Sequence, residues 1–279
     1  MKFGFVLPGG TAVEQLELAV LADEAGWDGV FVWEASYGVD PWTLLAAMSQ
    51  RTTHVRLGTM LTPLPWRRPW KVASQVLTLD QLSGGRAILA VGLGAVDEAL
   101  GTTGEETDRR VRAERLDEGI DLIRGLFAGR KKFSGRHYSI NLEAREDLDA
   151  TAAAVQRPRP PIWVVGVWPR PKSMKRVIRG DGLIPMGMDA NGIRPAEPRE
   201  LEEMIGWLAW SGGERRQFDV IVEGETPADD PAEASAIVTR WSDVGASWWL
   251  ETRWGEPNHG PERIAEVRRR LEAGPPPSR

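Results

Sequence analysis

Short apolar runs alternate with longer amphipathic stretches from one end of the chain to the other. The short runs are rich in Val, Ile, Leu and Trp, which is typical of strands buried on both faces. The longer stretches repeat apolar residues three or four positions apart, as at Leu16, Val20 and Leu21, and this spacing predicts amphipathic helices. The chain is therefore predicted to alternate strand and helix.

Eight strand–helix units account for this pattern. The predicted strands cover residues 3–7, 29–33, 55–60, 87–91, 162–165, 182–185, 218–223 and 247–251. The predicted helices cover residues 13–25, 41–51, 69–84, 107–127, 172–179, 198–210, 231–244 and 261–272, with Asp40 opening the second and Asp229 or Asp230 capping the seventh. Strict alternation implies parallel strands, and eight units close a barrel. The predicted fold is α/β, a (β/α)8 TIM barrel with residues 1–279 in one domain.

Three segments fall outside the alternation. Residues 132–140 predict a small hairpin around Ser134 and Gly135. Residues 143–161 have no clear period and end in QRPRPP, so we expect an irregular loop over the barrel. The tail, residues 274–279, is expected to fray.

The composition narrows the class of protein. A formal net charge of −5 argues against broad binding of nucleic acid, which requires a basic surface. No apolar run reaches the roughly 18 residues of a membrane helix, and the opening KFGFVLPGG is too rich in Gly and Pro for a signal peptide. The absence of cysteine removes disulfides, thiolate metal sites and cysteine nucleophiles, and it fits a cytoplasmic protein.

Barrel enzymes place their chemistry on the loops that follow the strands. Three acids end predicted strands here, namely Glu34, Glu223 and Glu251. Each is a candidate proton donor or acceptor. The alternative is that each forms an ion pair with an arginine such as Arg253, and both interpretations stay open.

Basic residues cluster at the starts of the third and fifth predicted helices. They are Arg67, Arg68 and Lys71 in the first cluster, and Arg170, Lys172, Lys175 and Arg176 in the second. A helix start attracts anions through its free N–H groups, and its dipole disfavours cations. A bound phosphate would explain the second cluster, and solvated surface charge is the alternative.

Other chemistries find little support. His54, His137 and His259 lack metal-ligand spacing, so no metal site is predicted. No GxSxG elbow or GxxxxGK[ST] loop occurs, and no lysine ends a predicted strand as a Schiff-base aldolase would need. A site so poor in histidine and cysteine can take its chemistry from an organic redox cofactor.

The segment from Arg56 to Gly94, RLGTMLTPLPWRRPWKVASQVLTLDQLSGGRAILAVGLG, resembles the luciferase-like monooxygenase family. That family joins its third and fourth strands by a Gly-Thr turn, a Pro-rich loop, a helix ending in TLDxLSGGR and a strand ending in GVGxG. Further similar segments are RVRAERLDEGIDLIRGLF, FSGRHYSI, QRPRPPIWVVG and GDGLIP, in the order that the family has them.

The resemblance implies a TIM barrel that binds FMN or coenzyme F-420 at the carboxyl ends of its strands. It places the cofactor ring against the end of the third strand, often at a non-proline cis bond, and the phosphate on backbone N–H groups after the fifth strand. The corresponding residues are Gly58, Thr59, Met60, Leu61, Leu93, Gly94, Val165, Gly166, Val167, Trp168, Pro185, Met186 and Gly187. The implied activity is oxidation or reduction of a small organic molecule. The implied partners are a reductase that supplies reduced cofactor and a second copy of the chain in a homodimer.

One departure concerns the acid after the second strand. Many members carry a histidine beside this acid, whereas this chain reads WEASYGVDPW with Trp33 and Glu34. We expect Glu34, and with it Glu251, to orient the substrate or relay a proton, and Trp33, Trp66 and Trp168 to wall its pocket. The missing histidine argues against dehydrogenation of sugar phosphates and leaves a non-catalytic, ligand-binding barrel as the alternative. FMN fits monooxygenation and F-420 fits hydride transfer, and the choice between them stays open.

Overall fold

The structure, a computed structural model, describes residues 1–95, 103–144, 153–212, 218–255 and 260–277. Its strands are β1 Lys2–Val6, β2 Gly29–Val32, β3 Arg56–Thr59, β4 Thr62–Pro63, β5 Ala87–Gly92, β6 Lys132–Ser134, β7 Ser139–Asn141, β8 Ile162–Val167, β9 Gly182–Asp189, β10 Gly192–Pro195, β11 Asp219–Gly224 and β12 Trp248–Glu251. Its helices are α1 Ala12–Glu24, α2 Pro41–Ser49, α3 Pro69–Leu82, α4 Arg109–Phe127, α5 Pro171–Val177, α6 Pro198–Gly212, α7 Pro231–Asp243 and α8 Pro261–Glu272, with a 3-10 turn at Leu64–Trp66.

Eight parallel strands close into a barrel. Their order is β1, β2, β3, β5, β8, β9, β11 and β12, and β12 pairs with β1 to complete the ring. Helices follow these strands along the chain, as right-handed crossovers between parallel strands require. The predicted (β/α)8 TIM barrel is confirmed, and so is the small hairpin, formed by β6 and β7.

Side chains of the barrel strands alternate between the barrel interior and the helical layer. Phe31, Trp163 and Trp248 fill the interior, with ring centroids 5.3 Å apart for Phe31–Trp163 and 5.2 Å apart for Trp163–Trp248. Residues one position away, such as Val30 and Trp249, belong to the layer between strands and helices. This alternation decides which residues at the carboxyl ends face the mouth of the barrel.

The helix starts follow the predicted capping residues. The Asp40 carboxylate accepts from the Thr43 N–H at 2.8 Å and begins α2, and Asp230, rather than Asp229, accepts from the Glu233 N–H at 2.9 Å and begins α7. Each cap satisfies an N–H group that the first turn of a helix leaves unpaired. Within the described ranges, no helix is long and apolar enough to cross a membrane.

The sheet extends further at β9 than the sequence predicted. The predicted strand ends at residue 185, whereas β9 continues to Asp189 and pairs with β10 in an antiparallel return. The return pairs Gly192 with Asp189 and Arg194 with Gly187, so that the backbone of β9 keeps hydrogen-bond partners beyond the barrel. The boundary prediction at residue 185 is therefore wrong.

The segment 143–161 is described at residues 143–144 and from residue 153 onward, and its later part does not cross the barrel mouth. The N–H groups of Val155 and Gln156 donate to the Asp80 carboxylate at 2.7 Å and 3.1 Å, and the Gln156 amide donates to the Ala87 carbonyl at 2.7 Å. Ala87 begins β5, so this segment packs at the amino ends of the strands. The predicted position over the barrel is wrong for residues 153–161, because the chain must reach the amino end of β8.

The tail is better anchored than predicted. Pro276 is buried, and the Gly274 carbonyl accepts from Arg270 Nη1 at 2.7 Å. Residues 278 and 279 lie outside the described part of the chain.

Candidate functional site

The loops after β2, β3 and β5 come together at one side of the barrel mouth. Arg67, in the loop after β4, donates from Nη1 to Glu34 Oε1 at 2.8 Å and from Nη2 to Gln75 Oε1 at 3.2 Å. Trp66 packs on Gly94, where an added Cβ would lie 3.0 Å from the indole. Residues far apart in the chain thus form one wall of the mouth.

Glu34 is a buried acid with one oxygen left unpaired. Its side chain is 5% exposed, and among the described residues Oε2 has no hydrogen-bond partner. The nearby Thr62 hydroxyl donates to Thr59 Oγ1 at 2.9 Å and lies close enough to lower the pKa of Glu34. Burial raises the pKa of Glu34 to about 7 against the lowering effect of Arg67. Glu34 can therefore hold or release a proton near neutral pH.

The pH dependence of stability tests this environment. Because its pKa is raised, folded Glu34 binds its proton more tightly than the unfolded chain does, so stability falls as the pH rises through this range. We expect wild-type protein to lose stability relative to Glu34→Gln between pH 4.5 and about 7. The loss is at most about 3 kcal/mol, since one pKa unit corresponds to about 1.4 kcal/mol.

Urea unfolding of both proteins at the two ends of this pH range measures the difference directly. All other titrating groups are common to the two proteins and cancel in the comparison. A difference that does not change with pH would show that Glu34 keeps an ordinary pKa.

The end of the third barrel strand forms part of an apolar floor beneath the mouth. The Met60–Leu61 peptide bond is cis, and Leu61 packs with Val165 on the interior cluster that includes Met60. Leu61 and Val165 are half-buried and so present apolar surface to the mouth. The missing side chain of Gly92 makes room for them, because a Cβ there would lie 2.9 Å from Leu61.

Two other predicted cofactor residues of this strand lie away from the surface of the mouth. Gly58 is buried beneath the floor, where a Cβ would meet the Ile88 carbonyl at 2.7 Å. Thr59 is fully buried and donates to the Ala90 carbonyl at 3.3 Å. Both shape the strand end and offer no side-chain contact to a ligand in the mouth.

The loop after β5 is held from below by Arg112. Its guanidinium donates to the Leu93 carbonyl, and to the Gly94 carbonyl at 2.6 Å. Gly94 has φ +75°, and a Cβ there would lie 2.5 Å from Pro63. Glycine is thus required both by the backbone conformation and by the close approach of the neighbouring loop.

The loop after β8 does not offer the phosphate cradle that was expected. The N–H of Val167 donates to Ser173 Oγ at 3.0 Å, and the N–H of Trp168 donates to the Met186 carbonyl at 2.9 Å. These N–H groups are therefore occupied. Of the basic cluster, buried Arg176 pairs with Asp117 at 2.8 Å, while Lys172 and Lys175 are exposed.

Gly166 and Gly187 face outward. A Cβ on Gly166 would lie 2.5 Å from Leu183 and 2.9 Å from Val177, so this glycine lets α5 pack on the barrel. A Cβ on Gly187 would meet the Arg194 guanidinium at 2.4 Å. Replacing Gly166 by valine would therefore disturb helix packing, and it cannot report on cofactor binding as the sequence suggested.

The predicted pocket tryptophans occupy different places. Trp33 lines a cavity of about 250 Å³ between the loops after β1 and β2, together with Gly10, Tyr37 and Leu44. Trp66 lies between the loops after β4 and β5, with its indole nitrogen buried and unpaired among the described residues. Trp168 donates from Nε1 to Glu203 at 2.9 Å.

Glu251 lies on the outer face of β12, like Trp249 two residues before it. It is fully buried, and both oxygens accept hydrogen bonds: Oε1 from the Thr226 N–H (2.8 Å) and Arg253 (2.6 Å), and Oε2 from the Thr226 hydroxyl (2.6 Å) and Trp249 (3.1 Å). Arg270 of α8 lies 3.6 Å from Oε1. The catalytic prediction for Glu251 is not supported, because the carboxylate faces the helical layer and its acceptor sites are taken.

Glu223, and not Glu251, is the acid of this pair whose side chain faces the barrel interior. Ile221, two residues earlier on β11, belongs to the interior cluster, and a Cβ on Gly224 would strike outward-facing Trp249 at 2.4 Å. Glu223 therefore faces the mouth, and its Oε2 accepts from Trp254 Nε1 at 3.1 Å. The sequence named this acid without choosing it, because β11 is apolar on both faces and its pattern does not reveal which side is inward.

No group of His, Asp and Glu side chains that could hold a metal occurs in the described ranges. His54 is mostly exposed, and His137 lies 3.0 Å from Glu114 beside the hairpin. His259 lies outside the described residues.

Three comparisons place the chain among known proteins. It is 34% identical over 247 residues to the F420-dependent glucose-6-phosphate dehydrogenase of Kineococcus radiotolerans, covering 82% of this chain and 68% of that protein. It is 35% identical over 128 residues to the 4-hydroxyprotoasukamycin monooxygenase of Streptomyces nodosus subsp. asukaensis, a match that covers 44% of this chain and 34% of that protein. The fold is shared with the oxygenating constituent of 3,6-diketocamphane monooxygenase from Pseudomonas putida, whose structure was solved with FMN. The TM-score is 0.71 at 17% sequence identity, and the match covers 98% of this chain and 97% of that one.

The chain spans 34% to 52% of the length of several of the curated relatives that it matches. The family model described as luciferase-like monooxygenase, in contrast, matches residues 1–275, nearly the whole chain. The protein belongs to the luciferase-like monooxygenase family.

Proposed function

We propose that this protein is an oxidoreductase that uses bound FMN or coenzyme F-420 to oxidise or reduce a small organic molecule at the barrel mouth. The observation that carries the proposal is Glu34, a buried acid with an unpaired oxygen and a pKa raised by burial to about 7. A buried acid with an unpaired oxygen lowers the stability of the folded protein. Acids with perturbed pKa values concentrate at functional sites. The named activities of the relatives support the same class of reaction.

The residues present fit the ring of such a cofactor better than its phosphate. Leu61 and Val165 offer an apolar surface on which a flat ring can rest. The phosphate has no preformed backbone cradle after β8, so exposed Arg170, Lys172 and Lys175 are the cations left to meet it. When bound, the cofactor supplies the redox chemistry, which the side chains of this site cannot provide.

Glu34 supplies the proton chemistry. Arg67 fixes Oε1 at 2.8 Å and thereby orients Oε2, which is the atom left to give or take a proton. The buried surroundings keep bulk water from this atom, so its proton exchanges with the substrate rather than with solvent. A reductase partner, a homodimer and a cytoplasmic location belong to this proposal as family expectations.

The visible spectrum tests the proposal and separates the two cofactors. Purified protein is titrated with FMN and, separately, with F-420, and binding is followed by the change in cofactor absorbance and fluorescence. We expect one of them to bind with a dissociation constant below about 10 μM, equivalent to about 7 kcal/mol of binding free energy. Leu61→Asp should abolish this binding, because it places a charge in the apolar floor. Absence of binding by both cofactors would refute the proposal.

A further inference from the structure

Glu223 is a second acid at the mouth, half-buried, and the proposed proton chemistry at Glu34 does not use it. It faces inward near the carboxyl end of β11, on the opposite face from Gly224. Among the described residues, its hydrogen-bond partner is Trp254, which donates to Oε2, and no described residue donates to Oε1. Trp254 itself is 49% exposed, so the acid lies just beneath the rim.

The strands beside β11 bring no cation to Glu223. Leu250 of β12 is its register partner and belongs to the interior apolar cluster, and Met186 of β9 lies on the same inner face. The charged groups nearest in the chain point elsewhere. Glu225 is largely exposed, and Arg253 bonds to Glu251 on the outer side of β12.

Three arginines of the rim are also engaged, whereas exposed Arg170 contacts the Met188 sulfur at 3.0 Å and has no acid partner among the described residues. Arg67 bonds Glu34, Arg112 bonds the carbonyls of Leu93 and Gly94, and Arg194 bonds Glu200. An anionic substrate entering beside Glu223 would therefore meet an acid to which the neighbouring strands and these three engaged arginines bring no compensating cation. Removing an anion from water at such a place is unfavourable.

We propose that Glu223 is a substrate-positioning acid that donates a hydrogen bond from Oε1 to an uncharged oxygen of the substrate, either a carbonyl or a hydroxyl, and disfavours anionic substrates. The inference rests on the proposed function, because it assumes that substrate enters the barrel mouth. It separates this protein from the sugar-phosphate specificity in the name of one of its relatives.

The protonation of Glu223 agrees with this role. Burial raises the pKa of its carboxyl, and the hydrogen bond from Trp254 opposes that rise. The carboxyl therefore keeps its proton to a higher pH than an ordinary glutamate. With Oε2 accepting from the indole, Oε1 is the oxygen from which a protonated Glu223 can donate.

Ligand-observed saturation-transfer NMR tests the proposal with matched probes. The neutral probes are acetophenone and cyclohexanone, and their anionic counterparts are benzoate and cyclohexanecarboxylate. Each is measured on the full chain with and without cofactor, for wild type, Glu223→Ala, Glu223→Gln and the control Glu225→Ala, which removes an exposed glutamate two residues away. Thermal midpoints confirm that each variant is folded.

We expect a neutral probe to bind wild type, Glu225→Ala and Glu223→Gln with similar affinity, because the glutamine amide still donates. Glu223→Ala should weaken it about 10-fold, the usual effect of one lost hydrogen bond in a buried site. The anionic probes should bind at least about 10-fold more weakly than their neutral counterparts to wild type. At a pH just above the ordinary glutamate range, the infrared difference between wild type and Glu223→Gln should contain a protonated-carboxyl stretch, and the difference between wild type and Glu225→Ala should not.

The proposal is overturned if no neutral probe depends on Glu223, if the carboxylates bind as well as the ketones, or if the infrared band is absent. Failure of the proposed function gives a different result: neither FMN nor F-420 binds, while the probes bind the cofactor-free protein and still depend on Glu223.

Discussion

Replacing Glu34 by glutamine is expected to reduce turnover by about 100-fold or more while leaving cofactor affinity unchanged. Glutamine keeps the shape of the side chain and can still accept from Arg67, but it carries no proton that can be exchanged. The measurement is turnover with the cofactor that binds, paired with a titration of that cofactor on the same preparation. Glu225→Gln serves as the control, because Glu225 is a largely exposed carboxylate beyond the mouth.

Thermal stability distinguishes a catalytic Glu34 from a structural one. If Glu34 merely held the loop through Arg67, the glutamine variant would melt at a lower temperature and keep its turnover. A buried acid with a pKa near 7 predicts the opposite. The variant should then be at least as stable as wild type above neutral pH, because it avoids the cost of ionising a buried carboxyl. Retained turnover with lower stability would remove Glu34 from the catalytic site.

Replacing Glu251 by alanine is expected to lower the free energy of unfolding by about 3–5 kcal/mol, the usual cost of removing one partner from a buried ion pair. The change leaves Arg253 and Arg270 near each other beneath α8 without their shared carboxylate. It also leaves the hydroxyl and N–H of Thr226 without an acceptor. Urea unfolding near neutral pH measures the loss.

The matched control is Glu225→Ala, which removes an exposed glutamate near Arg253. Glu225 lies 3.7 Å from Arg253 with its side chain 57% exposed, and such a pair contributes at most about 1 kcal/mol. Folded Glu251→Ala protein should keep its cofactor affinity and its turnover. A stable variant without turnover would restore Glu251 to the catalytic site and contradict the structural role.

The periodicity of the chain was sufficient for the architecture. Alternating apolar runs and amphipathic stretches specify strands and helices locally, because each element must bury its own apolar face. Asp40 could be assigned as a cap, and the cap of α7 could be limited to Asp229 or Asp230, because a cap depends on neighbours within a few residues. The extended end of β9 was missed because its partner, β10, becomes apparent only when the chain returns.

Local periodicity did not determine which acids face the barrel mouth. Glu223 and Glu251 both end apolar strands, and nothing in either strand distinguishes an inward acid from an outward one. The register of β11 against β12 pairs Glu223 with Leu250 and Gly224 with Glu251, and this places the two acids on opposite faces of the sheet. A shift of one residue reverses the face, so the choice belongs to strand pairing.

The N–H groups after β8 show the same dependence on distant residues. Their sequence, GVWPRP, suggested free donors at a helix start, yet Ser173 and the Met186 carbonyl accept from them. The sequence by itself determined the barrel, its caps and the presence of acids at strand ends, because local spacing and burial encode these features. The tertiary structure alone decided which acids face the mouth and which donors stay free, because register and contacts between distant segments set both.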